Sequence, residues 1–293
     1  MTLAVAYLSM STLENFECYD FLTFDVMNHY DYVISEIPWR SDTDWSSFDY
    51  VIVRSSWDYQ DDCNEFLRVL TEIDASDAQL LNPLSIIKWN INKTYLKELE
   101  TAGVRIVPTH WGTKLTREVL SQAFAGFNDD EIIIKPAISA NADDTYRIKY
   151  ESIGDFLSQH SGTFQHRQFL IQPFMKSVIE EGEYSLFYFN GQLSHCILKT
   201  PKKDDFRVQE EHGGQLRLIE SPEYELLHCG TKCLQTIPET LLYARLDFIR
   251  HNDTFLLMEA ELIEPSLYFN LDQDSPARFA TAFNDYINNH KPI

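Results

Sequence analysis

The stretch from Leu241 to Phe269 holds the residues best placed to do chemistry. Tyr243–Arg250 and Thr254–Ile263 read as two strands joined by the polar turn His251-Asn252-Asp253. Side chains two apart in a strand share a face. The first strand then carries Arg245 and Asp247 on one face, with Ala244, Leu246 and Phe248 on the other. The second carries Glu259 and Glu261 on one face, with Leu256, Met258, Ala260 and Leu262 opposite. Three carboxylates on one surface, with no lysines to pair with them, repel unless a cation sits between. Magnesium takes hard oxygen ligands, commonly one or two carboxylates plus phosphate oxygens. The pattern points to a metal that holds the β and γ phosphates of ATP for transfer. The plain alternative is a solvated hairpin face, since acidic residues are abundant in this chain.

The elements that must position these groups are those of an α+β chain in three lobes. Leu3–Leu8 and Tyr50–Arg54 read as short buried strands, and Glu65–Ile73 as a helix. Strands alternating with helices predict an N-terminal α/β lobe with a parallel sheet over residues 1–88. A small central α+β lobe follows over 89–173, with a helix at Asn92–Thr101, strands at Glu131–Lys135 and Arg167–Gln172, and a helix at Asp155–His160. Prolines 136 and 173 stop the two strands. Residues 174–293 form a C-terminal lobe with an antiparallel sheet. In it Glu183–Phe189 and Gln192–Lys199 flank Asn190-Gly191, a strong hairpin signal. Ser221–Thr236 and Pro276–Asn289 read as helices.

Composition narrows the function classes. Net charge is −21, from 24 Lys+Arg against 45 Asp+Glu, which argues against a nucleic-acid binder. No apolar run is long enough to span a membrane. The first residues read as a strand rather than a signal peptide. The five cysteines, odd in number and without zinc-site spacing, read as reduced thiols of a cytoplasmic protein. Cys229, Cys233 and His228 are read as helix residues rather than metal ligands.

At this point the chain resembles the ATP-grasp superfamily. The resemblance rests on Tyr243-Ala244-Arg245-Leu246-Asp247 followed by Met258-Glu259-Ala260-Glu261-Leu262-Ile263-Glu264-Pro265-Ser266. It implies Asp247, Glu259 and Glu261 as ligands of two magnesium ions, with Glu261 standing where many members have Asn. Ile132-Ile133-Ile134-Lys135-Pro136 is similar to the strand whose lysine contacts the α and β phosphates. Alternation puts Lys135 on the face of Ile133; the plain alternative is a surface lysine. Lys93 resembles the first lysine of the nucleotide site. Gln172, Pro173 and Phe174 resemble the hinge whose backbone reads adenine. Among Glu180, Glu181 and Glu183, family position favours Glu180 or Glu181 for the ribose, against a plain acidic loop. By the same resemblance Lys199 and Arg207 approach the transferred phosphate, and Gly213-Gly214 lie near the acceptor. Lys202-Lys203-Asp204-Asp205 are read as loop.

Within the superfamily the chain is most similar to the glutathione-synthetase-like, cycloserine-forming subgroup. The shared runs are Arg54-Ser55-Ser56-Trp57-Asp58-Tyr59, Asn82-Pro83, Trp89-Asn90, Pro108-Thr109 and Glu264-Pro265-Ser266-Leu267. The resemblance covers about Val51 to Phe269 and is carried by the order and spacing of these runs. It implies an ATP-dependent ligase that joins a small-molecule carboxylate to an amine through an acyl phosphate, with ring closure among the outcomes. Arg245 and Arg207 would then steady the transferring charge, and Arg54 would clamp the substrate carboxylate or else form a surface salt bridge. A homodimer is common in the superfamily. One departure concerns residues 137–145, where a Gly-rich lid is usual and this chain has Asn141, Asp143 and Asp144. A non-catalytic ATP-binding module and a small-molecule kinase are the competing readings.

Overall fold

The computed structural model describes residues 2–14, 16–139, 142–203 and 205–289. The first lobe contains β1 (Leu3–Ser9), α1 (Phe24–Asn28), β2 (Tyr32–Pro38), β3 (Tyr50–Ser55), α2 (Cys63–Asp74) and β4 (Gln79–Leu81). Its strands form a parallel sheet in the order β2-β1-β3-β4. β1 and β3 are covered on both faces, which is why they read as continuous apolar runs. Asp62 caps α2 by accepting from Glu65 N at 3.1 Å. β2 and β4 escaped the sequence reading. β2 is a half-exposed edge strand, and β4 is only three residues long.

Next come α3 (Leu84–Asn90) and α4 (Tyr95–Thr101). The lobe boundary expected after residue 88 falls inside α3. The helix expected from Asn92 begins only at Tyr95. Asn92 makes a turn instead, its Oδ1 accepting from Thr94 N at 3.0 Å, while Lys93 N donates to Ala137 O at 2.8 Å.

The central lobe holds β5 (His110–Gly112), α5 (Arg117–Phe127), β6 (Glu131–Pro136), β7 (Tyr146–Lys149), α6 (Ile153–His160) and β8 (Phe169–Pro173). Its antiparallel sheet runs β5-β8-β6-β7. Ile132 and Ile134 enter a core with Phe156, Phe164 and Phe169. Ile133 and Lys135 therefore share the opposite face, as the alternation predicts.

The third lobe contains α7 (Ser177–Glu180), β9 (Glu183–Phe189), β10 (Gln192–Thr200), β11 (Gln215–Leu218), α8 (Tyr224–Thr236), β12 (Tyr243–His251), β13 (Thr254–Glu261) and α9 (Ser275–Asn289). The antiparallel sheet order is β11-β10-β9-β12-β13. Asn190 and Gly191, at φ 45° and 75°, make the two-residue hairpin turn. The Ala244, Leu246 and Phe248 face packs in one core with Leu226 and Cys233 of α8. Cys229 and Cys233 are free thiols, and among the described residues no group of acids, His or Cys is arranged to hold a metal.

The face assignment in β13 needs a correction. Asp247 pairs with Glu259 but Phe248 pairs with Leu257, so Met258 is a bulge. The extra residue shifts the alternation. Ala260 and Leu262 enter the core as expected, but Leu256 and Met258 face a different apolar cluster, and Met258 joins Glu259 and Glu261 on the cleft side.

The lobes are joined by buried polar side chains that satisfy backbone groups. Asn82 donates to Tyr243 O and Leu262 O, both at 2.9 Å, and accepts from Leu242 N at 2.7 Å. Asn90 donates to Ala260 O at 2.8 Å and accepts from Leu262 N at 3.1 Å. The Tyr95 hydroxyl accepts from Ala260 N at 2.8 Å. The outer edge of β13, the last strand in its sheet, is thereby covered instead of exposed. Among the described residues no helix is long and apolar enough to cross a membrane.

Candidate active site

The three lobes border one cleft. Trp57 and Tyr59 reach it from the first lobe, Lys135 and Gln172 from the central sheet, and Lys199, Asp247 and Glu259 from the third. Lys93 enters from the turn before α4.

At the floor, charges are packed in alternating sign. Lys199 is 3% exposed and donates to Glu183 at 2.6 Å and to Asp247 at 3.2 Å. Arg245 pairs with Asp247 at 3.1 Å and also with Glu261. Lys93 reaches Glu259 at 3.0 Å and Ser139 O at 2.6 Å. Ser185 Oγ donates to Asp247 at 2.5 Å. These carboxylates therefore do have cationic partners, against the expectation from local sequence. Arg245 shares a strand with Asp247, but Lys199 comes from β10 and Lys93 from the turn before α4, and such pairing across the fold is invisible in a linear run.

The acidity of each carboxyl follows from its neighbours. Burial opposes the charge of Asp247, but Arg245, Lys199 and Ser185 outweigh it and hold its pKa below the ordinary value. Burial likewise opposes Glu259, and Lys93 with Lys135 outweighs it, so its pKa is also lowered. Glu261 is pushed up to about 7 by burial, only partly offset by Arg245, with Asp247 adding repulsion. Glu264 is pushed up to about 8 by burial, with Glu261 adding to it. Lys135 lines the cleft with no ion pair or hydrogen bond among the described residues, and burial lowers its pKa. The arrangement thus combines an unpaired ammonium with a buried Glu261 carboxyl whose burial Arg245 offsets only in part. The first suits a phosphate; the second suits a hard divalent cation on carboxylate oxygens. On donor chemistry Asp247, Glu259 and Glu261 fit magnesium, although each is turned to a cation here.

The other end of the cleft is apolar. Val107, Ile133, Met175, Val178 and Met258 line it beside Gln172, Pro173 and Phe174. Phe174 N already donates to Glu131 O at 2.9 Å, and Gln172 Nε2 to Thr109 Oγ1 at 3.0 Å.

Comparison with known proteins agrees with this geometry. Residues 5–82 match the family described as D-cycloserine synthetase DcsG, N-terminal domain. The cycloserine biosynthesis protein DcsG of Streptomyces lavendulae is 27% identical over 264 residues, 83% of this chain and 85% of that protein. The crystal structure of D-cycloserine synthetase DcsG superposes with TM-score 0.86 at 21% identity, over 97% of this chain and 99% of that one. D-alanine–D-alanine ligase from Bacillus anthracis, complexed with ATP, gives 0.69 at 14% identity over 98% and 97%. The ATP-grasp ligase PsnB gives 0.66 at 14% over 97% and 99%. The chain has the ATP-grasp fold. Within that fold its similarity, in sequence and in structure, runs to the cycloserine-forming DcsG proteins.

Several site residues expected of an ATP-grasp chain sit elsewhere. Glu180 is exposed at the end of α7. Glu181 is held outside the cleft by Arg250 at 2.9 Å and Tyr184 at 2.6 Å. Glu183 is the one of these three that lines the cleft, because it opens β9 directly opposite Lys199. Arg54 is neither a substrate clamp in the cleft nor a surface salt bridge. It is 2% exposed, paired with Asp20 at 2.9 Å, and donates to Pro265 O at 3.0 Å behind the cleft wall. Gly213 and Gly214 do not line the cleft; Gln209 and Glu211 of the same loop do. The pair shapes that loop instead. Gly213 has φ 83°, and a Cβ on Gly214 would lie 2.0 Å from Val208 O. Arg207 lines the cleft while bonded to Asp205 at 2.9 Å.

The acidic lid residues are turned away from the phosphate end. Asp143 accepts from Gln60 at 2.5 Å and Asp144 pairs with Arg167 at 2.6 Å, while Ala142 and Thr145 line the cleft. Ala140, Asn141 and Asp204 lie outside the described residues.

Sequence reasoning overlooked Trp57, Tyr59, Glu264, Ser266 and Tyr268 as cleft residues. Trp57 Nε1 donates to Glu264 O at 2.8 Å. Their signal was present in the shared runs Arg54–Tyr59 and Glu264–Leu267, but aromatic residues beside a strand read as core.

Proposed function

We propose that this protein is an ATP- and magnesium-dependent carboxylate–amine ligase that activates a small amino-acid-like substrate as an acyl phosphate. The observation that carries the reading is the unpaired Lys135 ammonium in the same cleft as Asp247, Glu259 and Glu261. Lys93 and Lys135 bind and neutralise phosphate oxygens of ATP. Gln172, Pro173 and Phe174 with the apolar walls receive the base, and of the glutamates considered for the ribose Glu183 is the one that lines the cleft. Asp247, Glu259 and Glu261 hold magnesium, two ions by resemblance, which supplies charge neutralisation at the β and γ phosphates.

Arg245, Arg207 and Lys199 orient the acceptor carboxylate and stabilise charge on the transferring phosphoryl group. A substrate carboxylate oxygen attacks the γ phosphorus and ADP leaves. An amine nitrogen then attacks the acyl carbon, phosphate departs, and the nitrogen loses a proton. Similarity to D-cycloserine synthetase favours an amine within the same molecule, giving a ring. No covalent enzyme intermediate is required; the residues position and polarise. The free thiols suit a cytoplasmic enzyme.

The test is calorimetry of ATP with and without magnesium on wild type and on Glu259→Gln/Glu261→Gln. Magnesium-dependent binding lost in the double variant is expected. Hydroxylamine added during turnover should then trap a hydroxamate, which a hydroxyl-phosphorylating kinase does not form. Absence of ATP binding by the wild type would overturn the reading.

A further inference from the structure

Residues 264–268 follow β13, and Glu264, Ser266 and Tyr268 among them line the cleft. Their backbone is held at every carbonyl. Trp57 donates to Glu264 O at 2.8 Å and Arg54 to Pro265 O at 3.0 Å. Arg245 Nη1 donates to Ser266 O at 3.2 Å, His195 to Leu267 O at 3.1 Å and Leu271 N to Tyr268 O at 3.0 Å. Five consecutive acceptors are thus satisfied, by donors from the first lobe, β12, β10 and the segment's own turn. The ring of Tyr268 stands edge-on to Phe187, with centroids 6.2 Å apart.

Tyr268 has two features that packing does not explain. Its φ is 45°, a left-handed conformation that bulky side chains rarely adopt. Glycine would make the same turn without strain, so an aromatic residue here needs a reason beyond the turn. Its hydroxyl also has no hydrogen-bond partner among the described residues, although the residue is only 7% exposed. A buried hydroxyl left unpaired is costly unless a ligand pairs with it. The charges that act most strongly on this hydroxyl are those of Arg245 and Lys199, so it stands at the cationic corner of the floor. Burial pushes its pKa up to about 12, against the pull of those two cations. At neutral pH the group keeps its proton and can donate it to an anionic oxygen.

A fixed donor beside two cations suits an oxygen on which negative charge develops during reaction. Resting on the ligase reading, we propose that Tyr268 is a catalytic residue whose hydroxyl, together with Arg245, holds the acyl oxygen of the substrate during amine attack. As the nitrogen bonds to the acyl carbon, the C=O π electrons move onto that oxygen. When they return, the bond from carbon to the phosphate oxygen breaks. Phosphate leaves and carries away the proton that the nitrogen loses. Tyr268 keeps its own proton throughout. Because its backbone is locked, the donor need not reorganise as the charge appears. Phosphoryl transfer, in which charge shifts among phosphate oxygens, is left to the groups already assigned to it.

The experiment is a rapid-quench single turnover of the magnesium–ATP-loaded protein with O-ureidoserine, in each enantiomer, for wild type and Tyr268→Phe. The variant keeps the ring and loses one oxygen. Thermal melts and ATP affinity control for folding and for the nucleotide site. ADP and ring product are measured separately, and quenching into hydroxylamine traps acyl phosphate as hydroxamate. In wild type ADP and ring product should appear together. In Tyr268→Phe, ADP should form at close to the wild-type rate, while ring product slows on the order of 10²–10³-fold, the effect of losing one oxyanion donor. ADP should then outrun product, with the early difference recovered as hydroxamate. Equal slowing of both overturns the proposal, by placing the hydroxyl in phosphoryl transfer or in positioning. Unchanged rates of both also overturn it, and leave Tyr268 a packing residue. Loss of ATP affinity in the folded variant overturns it by assigning the residue to the nucleotide. If wild type binds ATP but forms no ADP with either enantiomer, the assignment falls and the nucleotide reading stands. If ATP does not bind, the ligase reading falls with it.

Discussion

At the scale of single residues, Arg54 shows how a correct chemical intuition can be attached to the wrong side of a wall. A guanidinium at the end of a strand, next to an active cleft, suits a carboxylate. The carboxylate it holds is Asp20, and both are buried. Removing one member of a buried pair leaves the other charge uncompensated, at a cost of about 3–5 kcal/mol. Arg54→Met should therefore lower stability to urea by roughly that amount. ATP affinity of the folded fraction should stay near wild type. A variant that kept full stability but lost substrate binding would restore the clamp. The residues that were legible from sequence are those whose role is local: Lys135 by alternation after three isoleucines, Asp247 and Glu259 by period two. The pairs that neutralise them were not legible, because Lys93 and Lys199 arrive from segments far along the chain. Glu183 was passed over for Glu180 and Glu181 because a four-residue helical turn decides which of them faces in.

At the scale of elements, the runs with strong periodicity were readable and the edges were not. The Asn190-Gly191 hairpin, β6, β12 and the two long C-terminal helices follow from alternation, turn residues and helical spacing. The bulge at Met258 follows from none of these, since it depends on where β12 pairs. The short edge strands also depend on partners rather than on their own residues. Asn82 belongs to the same lesson: in sequence it marks a turn before Pro83, yet in the fold it joins the first lobe to β12 and β13. It uses both ends of its amide in a site with no exposure. Asn82→Ala would strand the Leu242 N–H and two carbonyls, each costing about 1–3 kcal/mol when buried and unsatisfied. We expect a loss of about 3 kcal/mol or more in chemical denaturation. Asn82→Asp should be no better, because the lost donors face carbonyls. An unchanged midpoint in Asn82→Ala would show that the lobes are held by apolar packing alone.

At the scale of the whole molecule, three lobes must stay docked for the cleft to exist, and within the third lobe a buried imidazole on β10 holds a segment that lines it. His195 is 4% exposed, stacked on Phe187 at 4.2 Å, and its Nε2–H donates to Leu267 O at 3.1 Å. Leu267 lies between Ser266 and Tyr268, both on the cleft. Burial pushes the His195 pKa down to about 4, with Asp272 opposing and Arg278 assisting the shift. The folded protein thus keeps this ring neutral where the unfolded chain, with a pKa near ~6.5, takes up a proton. The stability contributed by the neutral ring is complete above about 6.5 and is lost as pH falls from there to about 4, amounting to on the order of 3 kcal/mol. Glu261 and Glu264, with raised pKa values of about 7 and 8, act in the opposite sense, their stabilisation being lost as pH rises through those values. Wild type alone would blend the two slopes. The difference between wild type and His195→Gln isolates the histidine: urea stability should separate the two least at pH 4.5 and most at pH 7.5. A constant difference across that range would mean that His195 takes up its proton in the fold at the same pH as in the unfolded chain. Protonation would still allow the Leu267 bond, but it would place a second positive charge beside Arg278, so the segment 264–268 would be held by a different balance of charges.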